Sequence, residues 1–243
     1  MRKRLLFIIV TFCVSAAGFA QNNSFQCYPT NWWTGMKWNH VQIMIHGNGA
    51  GNATGYTINY PGVTLKKSHR VDNINYEFLD IVIAPSVKPG ILKIHVKQRD
   101  SSFVINFPIK KRRSGNGNSF AKGVTSKDCI YLIMPDRFSN GDTTNDRIAG
   151  MRDQSLNRDS VYTRHGGDLK GIENHLDYLQ SLGVTALWLN PVIENDMPER
   201  TEHGYAFTNH YKIDPRIGGE KAYQSLINAA HAKNMKIIQD AVY

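Results

Sequence analysis

The hydrophobic period of this chain changes once, and that change limits the folds open to it more than any single motif does. From Phe25 to Ile109 apolar and polar residues alternate in short runs, as in Val41-Gln-Ile-Met-Ile45, Tyr76 to Ile83, Ile91-Leu-Lys-Ile-His-Val96 and Phe103-Val-Ile-Asn-Phe107. Period-two alternation turns every second side chain to one face, so each run predicts a half-buried strand. Turns are expected at Gly47–Gly55, Pro61-Gly62 and Pro89-Gly90. The economical reading is an immunoglobulin-like β-sandwich of roughly seven strands. Residues 111–127 follow as a linker, with Lys110-Lys-Arg-Arg113 leading into Ser114-Gly-Asn-Gly-Asn-Ser119.

Beyond the linker the pattern becomes β-α-β-α-β. Ile130 to Met134 predicts a strand, and Asp168 to Leu182 a helix with Ile172, Leu176, Leu179 and Leu182 inward. Asp168 is a suitable cap for its start and Gly183 for its end. Thr185 to Leu189 predicts a second strand. Gly219 to Asn234 predicts a helix burying Tyr223, Leu226, Ile227 and Ala230, and Lys236 to Val242 a third strand. Such alternation gives parallel strands with right-handed crossovers, hence an α/β sheet or barrel. Three parallel strands do not close, so an incomplete domain is expected over 128–243.

Composition adds exclusions. With 41 % apolar and 20 % charged residues the chain is neither disordered, collagen-like nor a coiled coil. Residues 1–20 read as a signal peptide: Arg2, Lys3 and Arg4, an apolar run from Leu5 to Val14, and small Gly18 and Ala20 before a cut at Gln21. Export to the periplasm or medium is therefore expected, with no stable membrane span after cleavage. Losing those three basic residues lowers the formal charge from +9 to +6. One short basic cluster beside a Gly/Asn linker is a solvated surface, and no nucleic-acid partner is expected. Cys27 and Cys129 then remain, enough for one disulfide at most and without the spacing of a zinc site.

No GxSxG, HExxH or GK[ST] motif is present, and Gly47-Asn-Gly-Ala-Gly51 lacks the helix that a dinucleotide fingerprint requires. Between 131 and 243, however, five motifs stand in order. They are Tyr131-Leu-Ile-Met-Pro-Asp-Arg-Phe138 with Asn140-Gly-Asp142, and His165-Gly-Gly-Asp-Leu-Lys-Gly-Ile172. Gly183-Val-Thr-Ala-Leu-Trp-Leu-Asn-Pro191 follows, then His203-Gly-Tyr205 with Tyr211-Lys-Ile-Asp-Pro215, and finally Asp240-Ala-Val-Tyr243. This series resembles the α-amylase superfamily of glycoside hydrolases. Asn31-Trp-Trp-Thr-Gly-Met36 before Val41–Ile45 resembles the N-terminal sandwich of its neopullulanase and cyclomaltodextrinase members.

The resemblance implies residues 128–243 to be the start of a catalytic (β/α)8 barrel, cut after its third strand. It implies α-glucan substrates such as starch, pullulan or cyclodextrin, cleaved at α-1,4 links with retention. Tyr205 is similar to the aromatic that stacks on glucose at the cleavage site, His203 to a hydroxyl-bonding partner, and Asp240 to an acid that supports the site. The present Ala206-Phe-Thr-Asn209-His210 departs from the family, which usually shows an acid after this tyrosine. Retention needs two carboxyl groups about 5 Å apart. In the family they follow the fourth and fifth strands, so no catalytic residue is expected within this chain. Glu194, Glu199 and Glu202 match no catalytic motif.

Asn140, Asp142, Asn145 and Asp146 place four oxygen-bearing side chains within seven positions, as a Ca²⁺ loop or an ion-free Asx turn would. The resemblance favours Ca²⁺ and adds Gly166 and Asp168 to the ligand set. It also allows a homodimer through the sandwich. Trp188 is expected to pack among its apolar neighbours, and Trp32, Trp33 and Trp38 to belong to the sandwich core rather than to a sugar platform. The alternative to an enzyme is a non-catalytic glucan-binding protein.

Overall fold

The computed structural model describes residues 25–114 and 123–242. The signal segment with Cys13, the cut at Gln21, residues 115–122 of the linker and Tyr243 lie outside the described residues. Two compact units are present, one ending at Arg112 and one beginning at Arg113.

The first unit contains β1 (Gln26–Tyr28), β2 (Trp32–Trp33), β3 (His40–His46), β4 (Gly55–Ile58), β5 (Val63–Arg70), β6 (Tyr76–Ile83), β7 (Gly90–Lys97) and β8 (Ser102–Lys110). They form two four-stranded sheets, ordered β1-β3-β6-β5 and β2-β8-β7-β4. Alternation decides what is buried: Ile43, Ile45, Leu79 and Ile81 from one sheet, and Leu92, Ile94, Phe107 and Ile109 from the other, are at most 2 % exposed. All eight belong to one hydrophobic core. That core is the main source of stability, since burying each such side chain contributes roughly 1.5–3 kcal/mol. The turn expected at Gly47–Gly55 contains a 3₁₀ turn at Ala50–Asn52.

The tryptophans divide otherwise than expected. Trp32 packs partly against the core, but Trp33 is 39 % and Trp38 70 % exposed. Successive residues of a strand point to opposite faces, so Trp32 and Trp33 cannot both face inward, and Trp38 precedes β3.

The second unit begins with β9 (Ile130–Ile133) and α1 (Pro135–Phe138), then α2 (Leu169–Asn174), α3 (Leu176–Ser181) and β10 (Ala186–Leu189). A short pair, β11 (Ile193–Glu194) and β12 (Asn209–Ile213), precedes α4 (Gly219–Ala232) and β13 (Lys236–Gln239). Strands β9, β10 and β13 are parallel in the order β13-β10-β9. Asp128 ties their amino ends, accepting hydrogen bonds from Thr185 Oγ1 at 3.0 Å and Lys236 Nζ at 2.6 Å. Among the described residues no helix is long and apolar enough to cross a membrane.

The helix predicted over Asp168–Leu182 is two helices. His175 Nδ1 bonds the Gly171 carbonyl at 2.7 Å, the acceptor that its own amide would use in a continuous helix, and that amide turns to Ile172 O instead. The inward face keeps its phase across the break, with Leu169, Ile172, Leu176 and Leu179 all buried, while Leu182 lies past the end of α3 as its carboxyl cap and is 52 % exposed. The caps fall as the residue types require: Asp168 accepts from Gly171 N at 2.6 Å, and Gly183 follows with φ +79°. The last helix ends at Ala232, two residues early, and β13 stops at Gln239 rather than Val242.

Trp188 is also a correction. Leu187, Leu189 and Ile133 are buried in the core shared with the helices, whereas Trp188 and its cross-strand neighbour Leu132 point to the opposite face and are 41 % and 56 % exposed. Apolar neighbours in sequence did not predict its burial because alternate strand residues face opposite ways.

Candidate functional site at the carboxyl edge of the parallel sheet

Chain segments leaving β9, β10 and β13 meet at one edge of the sheet. After β10, Asn190 donates from Nδ2 to the His203 carbonyl at 3.3 Å, holding the return of the loop that follows. Gly204 lets that loop close. Its φ is +82°, and a Cβ there would lie 2.3 Å from Pro191 O. The turn brings His203 Nδ1 within 2.9 Å of the Tyr205 amide that it accepts from, and stacks the two rings with centroids 5.9 Å apart. Because Nδ1 is the acceptor, the neutral ring carries its proton on Nε2.

Tyr205 Oη donates to Asp240 Oδ2, just beyond β13, at 2.7 Å. The bond to that carboxylate holds the phenol pKa above its ordinary value. Thus His203, Tyr205 and Asp240, 37 residues apart in sequence from first to last, share one rim, with the tyrosine 42 % exposed. An open aromatic face beside an imidazole N–H and a carboxylate can stack on the C–H face of a ring and bond its hydroxyls.

Beneath the rim lies a buried charge network to which the sequence motifs assign no role. Arg216 is fully buried. It clamps Asp214 through Nε to Oδ1 at 3.1 Å and Nη2 to Oδ2 at 2.8 Å, and reaches the carbonyls of Asp153 at 3.1 Å and Asn195 at 2.6 Å. Asp153 accepts from Thr201 Oγ1 at 2.7 Å, and Arg164 Nη1 contacts the same hydroxyl at 3.3 Å. Asp136 accepts from the amides of His165 and Gly166. The signal available in sequence was Asp214-Pro-Arg216, an Asx-Pro turn that places a base two residues after an acid.

The six residues expected at the metal loop divide into two groups. Asp168 is fully buried and accepts four hydrogen bonds: from Gly141 N and Gly171 N at Oδ1, and from Asp142 N and Asn145 Nδ2 at Oδ2. It therefore staples the loop to the start of α2. Asp142 turns its carboxylate to Thr144 N and Oγ1, capping the Thr143–Asn145 turn, and these bonds hold its pKa below the usual carboxylate value.

Asn140, Asp146 and Gly166 come together: Asn140 Nδ2 donates to Asp146 Oδ1 at 2.7 Å, and a Cβ on Gly166 would lie 2.6 Å from that oxygen. Among the described residues no group of three or more His, Cys, Asp and Glu is arranged to hold a metal ion. Amide oxygens are a separate matter. The buried Oδ1 atoms of Asn140 and Asn145 have no hydrogen-bond partner, and hard cations take such neutral oxygens together with carboxylates. The donor set is chemically suited to Ca²⁺.

The second unit is a strand–helix domain with parallel strands, a class that places its ligand sites at the carboxyl ends of those strands, and an all-β unit precedes it. Residues 132–243 match the family model for the α-amylase catalytic domain, and residues 26–113 that for the cyclomaltodextrinase N-terminal domain. The second unit thus matches the α-amylase catalytic domain and the first the N-terminal domain of cyclomaltodextrinases, and relatives named neopullulanase and cyclomaltodextrinase are among those the chain is similar to.

A β/α-amylase of Paenibacillus polymyxa is 41 % identical over 117 residues, 48 % of this chain and 9 % of that protein. Neopullulanase 2 of Thermoactinomyces vulgaris is 39 % identical over 117 residues, covering 47 % and 19 %. A periplasmic α-amylase of Escherichia coli is 36 % identical over 124 residues, covering 46 % and 18 %. The chain thus spans less than a fifth of the length of each of these three relatives. Among solved structures, an Anoxybacillus α-amylase aligns at 36 % identity with 47 % of this chain and 24 % of its own, with a TM-score of 0.40.

Proposed function

We propose that this chain belongs to an exported hydrolase that cleaves α-1,4 links of a glucan with retention, and that its residues supply the substrate rim rather than the bond-breaking carboxylates. The observation that carries the reading is the convergence of His203, Tyr205 and Asp240 at the carboxyl edge of a parallel sheet. Tyr205 stacks on a glucose ring, His203 Nε2–H donates to a hydroxyl, and Asp240 fixes the tyrosine. The nucleophile and the acid, which retention requires about 5 Å apart, are assigned to no residue of 1–243; in the family that the chain resembles they follow the fourth and fifth strands of a (β/α)8 barrel. The exposed apolar pair Leu132 and Trp188 supports the barrel reading, because parallel sheets are covered on both faces. The two sheets of the first unit with their common core support an immunoglobulin-like sandwich. Export rests on the basic and apolar residues 1–20 and agrees with the periplasmic relative.

The test is maltotriose titration of the full chain by saturation-transfer NMR, paired with a hydrolysis assay of the gene product that includes the later strands. Tyr205→Ala is expected to weaken binding by roughly ten- to a hundredfold, as loss of a central aromatic anchor does. Saturable binding without hydrolysis in the longer product would favour the non-catalytic glucan binder, and no binding at all would end both readings.

Ca²⁺ belongs to the same proposal. Asn140, Asn145, Asp146, Asp142 and the Gly166 carbonyl would hold it, and its contribution would be to pin the loop after β9, with Asp168 fixing the loop from behind. Chelation is expected to lower the melting temperature by a few degrees, as removal of a native-state ligand does, and Asp146→Ala to abolish that sensitivity. A melt unchanged by chelator would leave an ion-free Asx turn.

A further inference from the structure

Strand β6 has one residue at odds with its pattern. Its inward positions are Glu77, Leu79, Ile81 and Ile83, all buried, so a carboxyl group occupies a place that alternation reserves for an apolar side chain. Glu77 is 3 % exposed and its Oε2 has no hydrogen-bond partner. A buried polar group in that state is costly unless something else completes it.

Its direct cross-strand partners are Ile45 on β3 and Arg70 on β5. The Glu77 and Arg70 side chains do not pair; Arg70 Nη2 donates to Ala53 O at 2.8 Å instead. Both line a cavity of about 300 Å³ together with Thr54, Tyr56 and Ser68, at the low end of the range for small-molecule sites. Its walls come from both sheets, where edge strand β4 of one meets edge strand β5 of the other. Tyr56 is anchored by a bond from Oη to Ala50 O at 3.1 Å.

From this arrangement we infer that the first unit holds a second binding site, for the hydroxyl groups of a saccharide, between Glu77 and Arg70. A hydroxyl donates to a carboxyl oxygen while accepting from a guanidinium, so neighbouring hydroxyls can bridge two groups that do not bridge each other. Thr54, Ser68 and the Tyr56 ring add the mixture of polar and aromatic surface that a polyol requires. A cationic ligand is the poorer match, since burial pushes the Glu77 carboxyl upward, towards its neutral form, against the charges of Arg70 and His69. The site stands apart from the reading at the Tyr205 rim and needs none of its residues.

The experiment is maltose titration of the full chain by NMR in four forms: unchanged, Tyr205→Ala, Glu77→Leu, and both substitutions together. Binding is expected to persist in Tyr205→Ala and to weaken by roughly tenfold or more when Glu77→Leu is added, the loss that follows removal of a charged hydrogen-bonding partner. Arg70→Met in the Tyr205→Ala background should reproduce that loss, and it serves as the readout if Glu77→Leu does not fold. The inference is overturned if Tyr205→Ala alone abolishes maltose binding, or if the Glu77 and Arg70 substitutions leave the remaining affinity unchanged. The step from the unchanged chain to Tyr205→Ala reports on the rim by itself, so the two failures are separable.

Discussion

Asp168→Ala is expected to lower the unfolding free energy of the second unit by about 3–5 kcal/mol, well beyond the roughly 1 kcal/mol of an ordinary helix cap. The reason is the number of donors that converge on one buried carboxylate. Three backbone amides and the Asn145 side chain lose their acceptor together, and Asp168 is fully buried, so water cannot replace it without opening the loop. Urea unfolding followed by the helical circular dichroism signal measures the loss, since the α-helices among the described residues lie in this unit. Asp168→Asn, which keeps one acceptor oxygen, should recover part of it. A loss near 1 kcal/mol for alanine would mean that the carboxylate caps α2 and does little for the loop.

Arg216→Met should cost about 3–5 kcal/mol, the usual consequence of stranding the other half of a buried ion pair. Asp214 supplies a second signature in its pH dependence. Burial alone would raise its pKa, but the hydrogen bonds and charge of Arg216, with the charge of Arg164, outweigh it and hold the carboxyl below its ordinary value. A folded pKa below the unfolded one gives stability that is complete above the ordinary carboxylate range and is lost as pH falls through the lowered folded value. Without Arg216 burial prevails, Asp214 titrates higher, and acid unfolding should begin at a higher pH. An Arg216→Met protein whose acid midpoint matches that of the unchanged chain would show that Asp214 draws its stabilisation from elsewhere. Asp214→Leu together with Arg216→Met should recover part of the lost stability, because no charge is left stranded, but not all of it, since the carbonyls of Asp153 and Asn195 and the Asn195 amide still lose their partners.

Local pattern made much of this architecture legible. The alternation of Tyr76 to Ile83 placed β6 to the residue, and the apolar periodicity around Leu226 and Ala230 located α4. Asp168 and Gly183 marked their caps because capping depends on neighbours a few positions away. The failures share a cause. His175 breaks a predicted helix through a ring nitrogen that competes with the backbone; Leu182, inward by helical period, lies past the end of α3; and hydrophobicity, which places Trp33, Trp38 and Trp188 in cores, says nothing about which face is covered. For Glu77 the sequence predicts a strand position and no more, since its inward direction has meaning once the second sheet is in place.

The candidate site shows the same division. The resemblance of its motifs to a known family singles out His203, Tyr205 and Asp240, while the spacing of oxygen-bearing side chains marks the loop from Asn140 to Asp146 and leaves an ion or an Asx turn open. That Tyr205 bonds Asp240, that Asp168 spends its carboxylate on four donors, and that Arg216 lies sealed beneath the rim were decided by packing between segments distant in the chain. Sequence determined the elements and their chemistry because hydrophobic period, turn propensity and capping are local forces. Only the tertiary structure determined the partners, because a buried charge or an orphaned amide is defined by what surrounds it in space.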